Sequence, residues 1–175
     1  DSNDLDNVVL HAYPDADLAG TFDTAPATSG GFVEIVGDNS FFPLDWFSKR
    51  QSATSHSTTE AELVSASKML RESLVPLQHL WSVMLGRPVT AIIHEDNMST
   101  ITVIEAGYSP QLRYINKHHR ISLSLVLEFC KHPDIKLVHC ETAKQKGDLM
   151  TKGLARPKHE PAMKMVGLYP FIILG

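Results

Sequence analysis

The sequence predicts an α/β fold, a five-stranded mixed sheet in the order βββ-α-β-α-α-β-α with helices on both faces. Two observations carry this. Three strand-like segments follow one another between residues 8 and 48 with only short links, which suits an antiparallel meander. Two further short apolar runs, 89–95 and 135–140, each follow a helical stretch, and such crossovers join parallel strands along a right-handed path.

Val8 to Tyr13 is apolar with β-branched members and reads as a strand buried on both faces. Asp17 to Ser29 is polar and turn-like, and Gly30 to Val36 is the second strand. Gly37-Asp38-Asn39-Ser40 is a turn, and Phe41 to Ser48 a third strand interrupted by Pro43. Ser57 with Glu60 three residues on is a capping box that opens a helix. Its apolar stripe continues to Met84, and Pro76 inside it predicts a kink, or two helices meeting near residue 75. Val89 to Glu95 is the fourth strand, Met98 to Ala106 a short helix and Ile115 to His132 a longer one. Ile135 to Cys140 is the fifth strand and Lys144 to Leu154 the last helix. The expected division is a domain over residues 1–156 and a C-terminal tail over 157–175 with a short extra helix.

At 175 residues, with 43% hydrophobic and 21% charged residues, the chain suits one ordinary soluble domain with a proper core. No apolar run approaches the roughly 18 residues of a membrane-spanning helix. The polar start, Asp1-Ser2-Asn3-Asp4, is no signal peptide, and the missing initiator Met suggests a piece of a longer polypeptide. Cys130 and Cys140 lack metal-ligand spacing and read as reduced thiols of an intracellular protein. The net charge of −4, from 16 basic and 20 acidic side chains, is unlike a stand-alone nucleic-acid binder. Either nucleic acid is not the ligand, or a partner domain supplies much of the grip.

Four acids stand in informative contexts. Asp15 follows the first strand, Asp96 ends the fourth, Glu62 lies on the first helix and Asp148 on the last. Sites in open α/β sheets form outside the carboxyl ends of parallel strands, so neighbouring first and fourth strands would set Asp15 beside Asp96. Clustered carboxylates raise one another's pKa. Two Mg²⁺ ions, with oxygen ligands and an affinity for phosphate, resolve that repulsion. Such metal pairs, about 3.5–4 Å apart, cleave phosphodiesters. The pattern points to a metal-dependent nuclease. Glu60 and Glu62 lie on opposite edges of the apolar stripe; the capping role of Glu60 favours Glu62, while periodicity barely separates them. Asp17 and Asp23 read as solvated loop residues, and Glu95 as an ordinary neighbour of Asp96.

Taken in order, Asp15-Ala16-Asp17-Leu18-Ala19-Gly20, Thr28-Ser29-Gly30, Ser57-Thr58-Thr59-Glu60-Ala61-Glu62, Glu95-Asp96-Asn97 and Asp148-Leu149-Met150-Thr151-Lys152 resemble the ribonuclease H domain of Ty1/copia-type retrotransposon polyproteins. The resemblance runs from about Val8 to Leu168. It implies an RNase H-like fold with Asp15, Glu62, Asp96 and Asp148 as catalytic and metal-binding acids. The implied cofactor is Mg²⁺ or Mn²⁺, two ions per site. The implied reaction is endonucleolytic cleavage of the RNA strand of RNA/DNA hybrids, leaving 5′-phosphate and 3′-hydroxyl ends. A reverse transcriptase domain N-terminal in the same polyprotein, within a cytoplasmic retrotransposon particle, is the implied setting. The chain departs from the family pattern at Pro14, where a small hydroxyl residue is usual. Proline is awkward in a central strand, so Asp15 is expected at the strand's very end or on a bulge. Arg120 replaces an acid of the loosely matched segment 116–121. No residue near Thr142 supplies the histidine that cellular ribonucleases H carry before the last acid, and His139 reads as a structural strand residue.

Other candidates have simpler readings beside the functional one. Asn97 and Ser99, at a helix start, could contact a nucleic-acid backbone or cap the helix. Ser29 and Gly30, with Thr28, could reach a ribose 2′-hydroxyl or form a turn. Lys49 and Arg50 could meet phosphate or simply solvate a sheet edge. His118 and His119 are adjacent and point to different helix faces, and Trp46 and Trp81 read as core. A non-catalytic, connection-type module that binds polymerase or nucleic acid is the alternative. It gives no physical reason to keep clustered, repelling acids. Integrases and 3′–5′ exonucleases of the same fold fit the context of Asp148 poorly.

Overall fold

Strand β1 (Val9–Asp17) is paired on both edges, which is why Leu10 and Ala12 have no exposed surface. On one side it runs antiparallel to β2 (Thr28–Val36), from Val9↔Val36 to Asp17↔Thr28. On the other it is parallel to β4 (Ala91–Glu95), but only from Leu10↔Ala91 to Ala12↔Ile93. β3 (Phe41–Arg50) and β5 (Ile135–His139) complete the spatial order β3-β2-β1-β4-β5. A computed structural model, it describes residues 2–18 and 26–169; Asp23 and the end of the tail lie outside them.

Pro14 and Asp15 sit inside the β1–β2 ladder, opposite Gly31 and Gly30, rather than at its end or on a bulge. The proline is tolerated for a definable reason. Its carbonyl accepts a hydrogen bond from Gln145, whose amide also reaches the β4 residue His94. In an antiparallel ladder the N–H and C=O of one residue point the same way. The missing donor therefore faces the side where pairing with β4 has already ended. Pro43 lies on the edge strand, beside a bulge that shifts the register between Val33↔Asp45 and Glu34↔Pro43.

Helix α1 (Thr58–Met69) passes through a π-helical turn, Leu70–Leu74, into α2 (Val75–Leu85). The expected disruption at Pro76 is thus absorbed by a widened turn, which accommodates a ring that cannot donate to the preceding turn. α3 (Met98–Ala106) follows β4, capped by Asn97. The helix expected over 115–132 is instead two, α4 (Ile115–His119) and α5 (Leu123–Cys130). Arg120 adopts φ 58° between them, and Ser122 caps the second through Leu125 N–H at 3.3 Å. The last helix shrinks to one turn, α6 (Asp148–Thr151), preceded by a 3₁₀ turn at Thr142–Lys144. A further helix, α7 (Arg156–Met165), follows.

The main core, including Leu10, Ala12, Leu63, Leu70, Ile93 and Ile104, lies under α1 and α3. A smaller cluster of Tyr13, Phe32 and Val166, with Leu149 and Met150 against it, fills the opposite face. Trp81 packs against the main core, but Trp46, expected there, is 62% exposed on the edge strand. Cys130 and Cys140 are free thiols. Among the described residues, no helix is long and apolar enough to cross a membrane.

Candidate active site

Asp15, Glu62 and Asp96 come from β1, α1 and the residue after β4, and each offers a carboxylate oxygen within 4.8 Å of the others. The two faces of the sheet hold them there. Gln51, at the end of β3, donates to Ala61 C=O at 2.9 Å and to Ser29 Oγ at 2.9 Å, and Ser65 Oγ donates to Gly30 C=O at 2.8 Å. These bonds fix the first turns of α1 over the end of β2, with Glu62 facing inward. From the other face, Thr151 of α6 donates its hydroxyl to Asp15, and Lys152 reaches the same carboxylate at 3.4 Å.

The choice between Glu60 and Glu62 is made by packing. Glu60 is fully buried and engaged elsewhere: it accepts from His56 N–H at 2.7 Å and Tyr114 hydroxyl at 3.0 Å, and pairs with His119 Nε2 at 3.0 Å. Ser57 Oγ accepts from Glu60 N–H in return. Glu62 instead joins the acid cluster, with Oε2 buried and unpartnered.

Asp148 stands one step away. Among the described residues it is outside the 4.8 Å group, and its carboxylate pairs with Lys152, which bridges it to Asp15. Burial works against charge on Lys152, but the Asp148 hydrogen bond and both carboxylates outweigh it and raise its pKa. Sequence reasoning quoted Lys152 without a role; its spacing of four residues from Asp148, one helical turn, was the available signal.

Glu95 was also underestimated. Fully buried at the end of β4, it accepts from Asn97 N–H at 3.1 Å through Oε1, while Oε2 has no partner. Burial, opposed by that hydrogen bond and assisted by Asp96 and Asp15, lifts its pKa to about 8. Burial and then the charges of Glu95, Asp15 and Asp96 push Glu62 up to about 10. Asp15 is raised by burial too, against the Thr151 hydrogen bond and Lys152. A site of hard oxygen donors, with orphaned carboxylate oxygens and acids that resist ionising together, fits divalent cations such as Mg²⁺ or Mn²⁺.

The other sequence candidates are placed as follows. Asn97 Oδ1 accepts from Ser99 and Thr100 N–H groups at 2.9 and 3.2 Å, so it caps α3, and Ser99 is exposed at that helix start. Ser29 is buried against Gln51. Gly30 is buried where α6 crosses β2: a Cβ there would lie 2.4 Å from Thr151 Cγ2 and 2.8 Å from Met150 Cβ. Both therefore have a packing role of their own. Gly30→Ala is expected to cost about 1–3 kcal/mol by overpacking, read as a lowered melting temperature. Lys49 and Arg50, with Lys68 and Arg71, line a groove between the end of β3 and α1 that reaches His119. His118 joins His56 and Tyr114 in an aromatic cluster and meets the buried His119 edge-on, with ring centroids 5.2 Å apart.

This geometry defines an α/β domain of RNase H fold with an acid cluster at one end of its sheet. The chain is similar in structure to the N-terminal RNase H domain of a Mycobacterium tuberculosis protein, solved as a fusion with maltose binding protein. The TM-score is 0.53 at 15% identity, over 90% of this chain and 98% of that one, a likeness of fold. No family model matches. In sequence the chain is similar to the retrovirus-related Pol polyprotein from transposon RE1 of Arabidopsis thaliana, 29% identical over 161 residues and 91% of this chain. The corresponding polyprotein from transposon TNT 1-94 of Nicotiana tabacum is 25% identical over 92% of it. The chain spans only 10% and 12% of the length of these two curated relatives. The Ty1/copia-type resemblance carried by the motifs is therefore met by Pol polyproteins of plant transposons.

Proposed function

We propose that the chain is the ribonuclease H module of a retrotransposon Pol polyprotein, cutting the RNA strand of RNA/DNA hybrids. The observation that carries this reading is the convergence of Asp15, Glu62 and Asp96 from three separate elements. Asp15, Glu62, Asp96 and Asp148 would hold Mg²⁺ or Mn²⁺, two ions per site, which would supply the Lewis acidity phosphodiester hydrolysis needs. Water adds to phosphorus as the bond to the 3′-oxygen breaks, leaving a 3′-hydroxyl and a 5′-phosphate. The chain's own residues prepare that step. Thr151 and Lys152 hold the Asp15 carboxylate, and Lys152 offsets charge between Asp15 and Asp148.

Lys49 and Arg50 would grip phosphates from the neighbouring groove, and a reverse transcriptase domain preceding this one in the polyprotein would hold the rest of the hybrid. The Lys49→Ala, Arg50→Ala double variant is expected to weaken hybrid binding and to flatten its dependence on log salt by about 2, at roughly 0.9 per lost phosphate contact. Titration of a labelled hybrid at several salt concentrations reads this directly; an unchanged slope assigns these residues to the solvated sheet edge. The reading as a whole is tested by incubating the chain with Mg²⁺ and RNA/DNA hybrid, double-stranded RNA or double-stranded DNA. Cleavage confined to the RNA of the hybrid is expected. Binding without cutting, with or without the polymerase domain, would favour the non-catalytic module instead.

A further inference from the structure

We propose that Gln145 is the positioning residue that sets the spacing of the acids, an inference that rests on the nuclease reading of the site. Its side chain, 2% exposed, uses both the donor and the acceptor end of its amide on backbone. Nε2 donates to Pro14 C=O at 3.0 Å and to His94 C=O at 3.3 Å, and Oε1 accepts from Gly147 N–H at 3.1 Å. Pro14 precedes Asp15, Gly147 precedes Asp148, and His94 lies two residues before Asp96. One side chain thus ties the three segments that deliver three of the four acids.

The place of this contact explains why a side chain is needed there. The β1–β4 ladder stops at Ala12↔Ile93, and Pro14 has no N–H with which to extend it. Gln145 takes over where the strands no longer hold each other, fixing the gap between their ends. The same loop lies hard against β1: a Cβ on Gly147 would be 2.7 Å from Tyr13 C=O and 2.8 Å from Asp15 Cβ. Lys146 pins the loop again, donating to the buried Glu34 of β2 at 2.6 Å. No residue other than glutamine combines this reach with two donors to carbonyls and an acceptor for an N–H. Glutamate lacks the donors when ionised, and asparagine is a methylene shorter.

Two variants of the full chain test this. Gln145→Met keeps length and volume but removes all three hydrogen bonds, and Gln145→Glu keeps the acceptor. Each is followed by circular dichroism, by Mn²⁺ titration calorimetry without nucleic acid, and by hybrid cleavage. Groups that hold metal ligands in place are worth about 10–100-fold in affinity or activity. Both variants are expected to fold, to bind Mn²⁺ about 10–100-fold more weakly, and to lose a similar factor in kcat with KM for the hybrid unchanged. Wild-type Mn²⁺ affinity and kcat in Gln145→Met would overturn the proposal. So would an effect on KM alone, or the unfolding of both variants, which would make Gln145 a residue of the fold. If the wild-type chain neither binds Mn²⁺ nor cuts the hybrid, the nuclease reading falls and this inference with it. Loss confined to the variants isolates Gln145.

Discussion

Asp96→Asn is expected to reduce cleavage of an RNA/DNA hybrid about a thousandfold while leaving the fold unchanged. The substitution removes one charge and adds no volume, at a partly exposed position just past the end of β4. Asp96 is the member of the close triad that comes from β4's end, so the amide leaves Asp15 and Glu62 without their third carboxylate and with a weaker, neutral oxygen in its place. Lewis-acid stabilisation is worth several kcal/mol, and about 4 kcal/mol corresponds to a factor of about a thousand in rate. Single-turnover cleavage of end-labelled hybrid, with circular dichroism as the control for folding, measures it. Activity equal to wild type would remove Asp96 from the site and with it the proposed mechanism.

Glu62→Gln is expected to do two opposite things: to abolish cleavage and to stabilise the metal-free protein. The folded-state pKa of Glu62 is raised to about 10 from an ordinary value of 4.5, chiefly by burial and then by Glu95, Asp15 and Asp96. A group raised in this way leaves stability intact below its unfolded pKa and erodes it as pH rises toward the folded value, because the unfolded chain ionises first. In chelator, wild-type stability should therefore fall progressively from about pH 5 toward pH 10. Glu62→Gln should flatten that fall and gain on the order of 2 kcal/mol near pH 8, within the 1.36 kcal/mol that each pKa unit allows. Urea denaturation of both proteins at several pH values checks it. A variant no more stable than wild type at pH 8 would mean the acids are relieved of their repulsion by something other than bound cations. Such a gain at the expense of activity is the usual trade at a functional site.

Much of the fold was legible in local patterns. Ser57 caps the first helix through Glu60 N–H, although the Glu60 carboxylate reaches back to His56 rather than Ser57. The helix at Met98–Ala106 matches residue for residue, and the second to fifth strands fall on the segments read for them, while the first runs past Tyr13 to Asp17. The errors have local causes. The 115–132 segment keeps an apolar periodicity through its break, but His119 is drawn to Glu60 and the chain reverses at Arg120. Trp46 is hydrophobic by type, yet it sits on an edge strand and stays mostly exposed.

The identities and order of the four acids, and the strands and helices that carry them, are determined by the sequence itself, because they depend on residue type and local period. That Glu95 is buried against the cluster, and that Lys152 bridges Asp15 and Asp148, were decided only by tertiary structure. So was the toleration of Pro14 inside β1. Each depends on groups that meet across the whole domain: Gln145 and Pro14 are 131 residues apart, Lys152 and Asp15 137. Burial and the charges such contacts bring together set the chemistry of the site, and no local pattern encodes them.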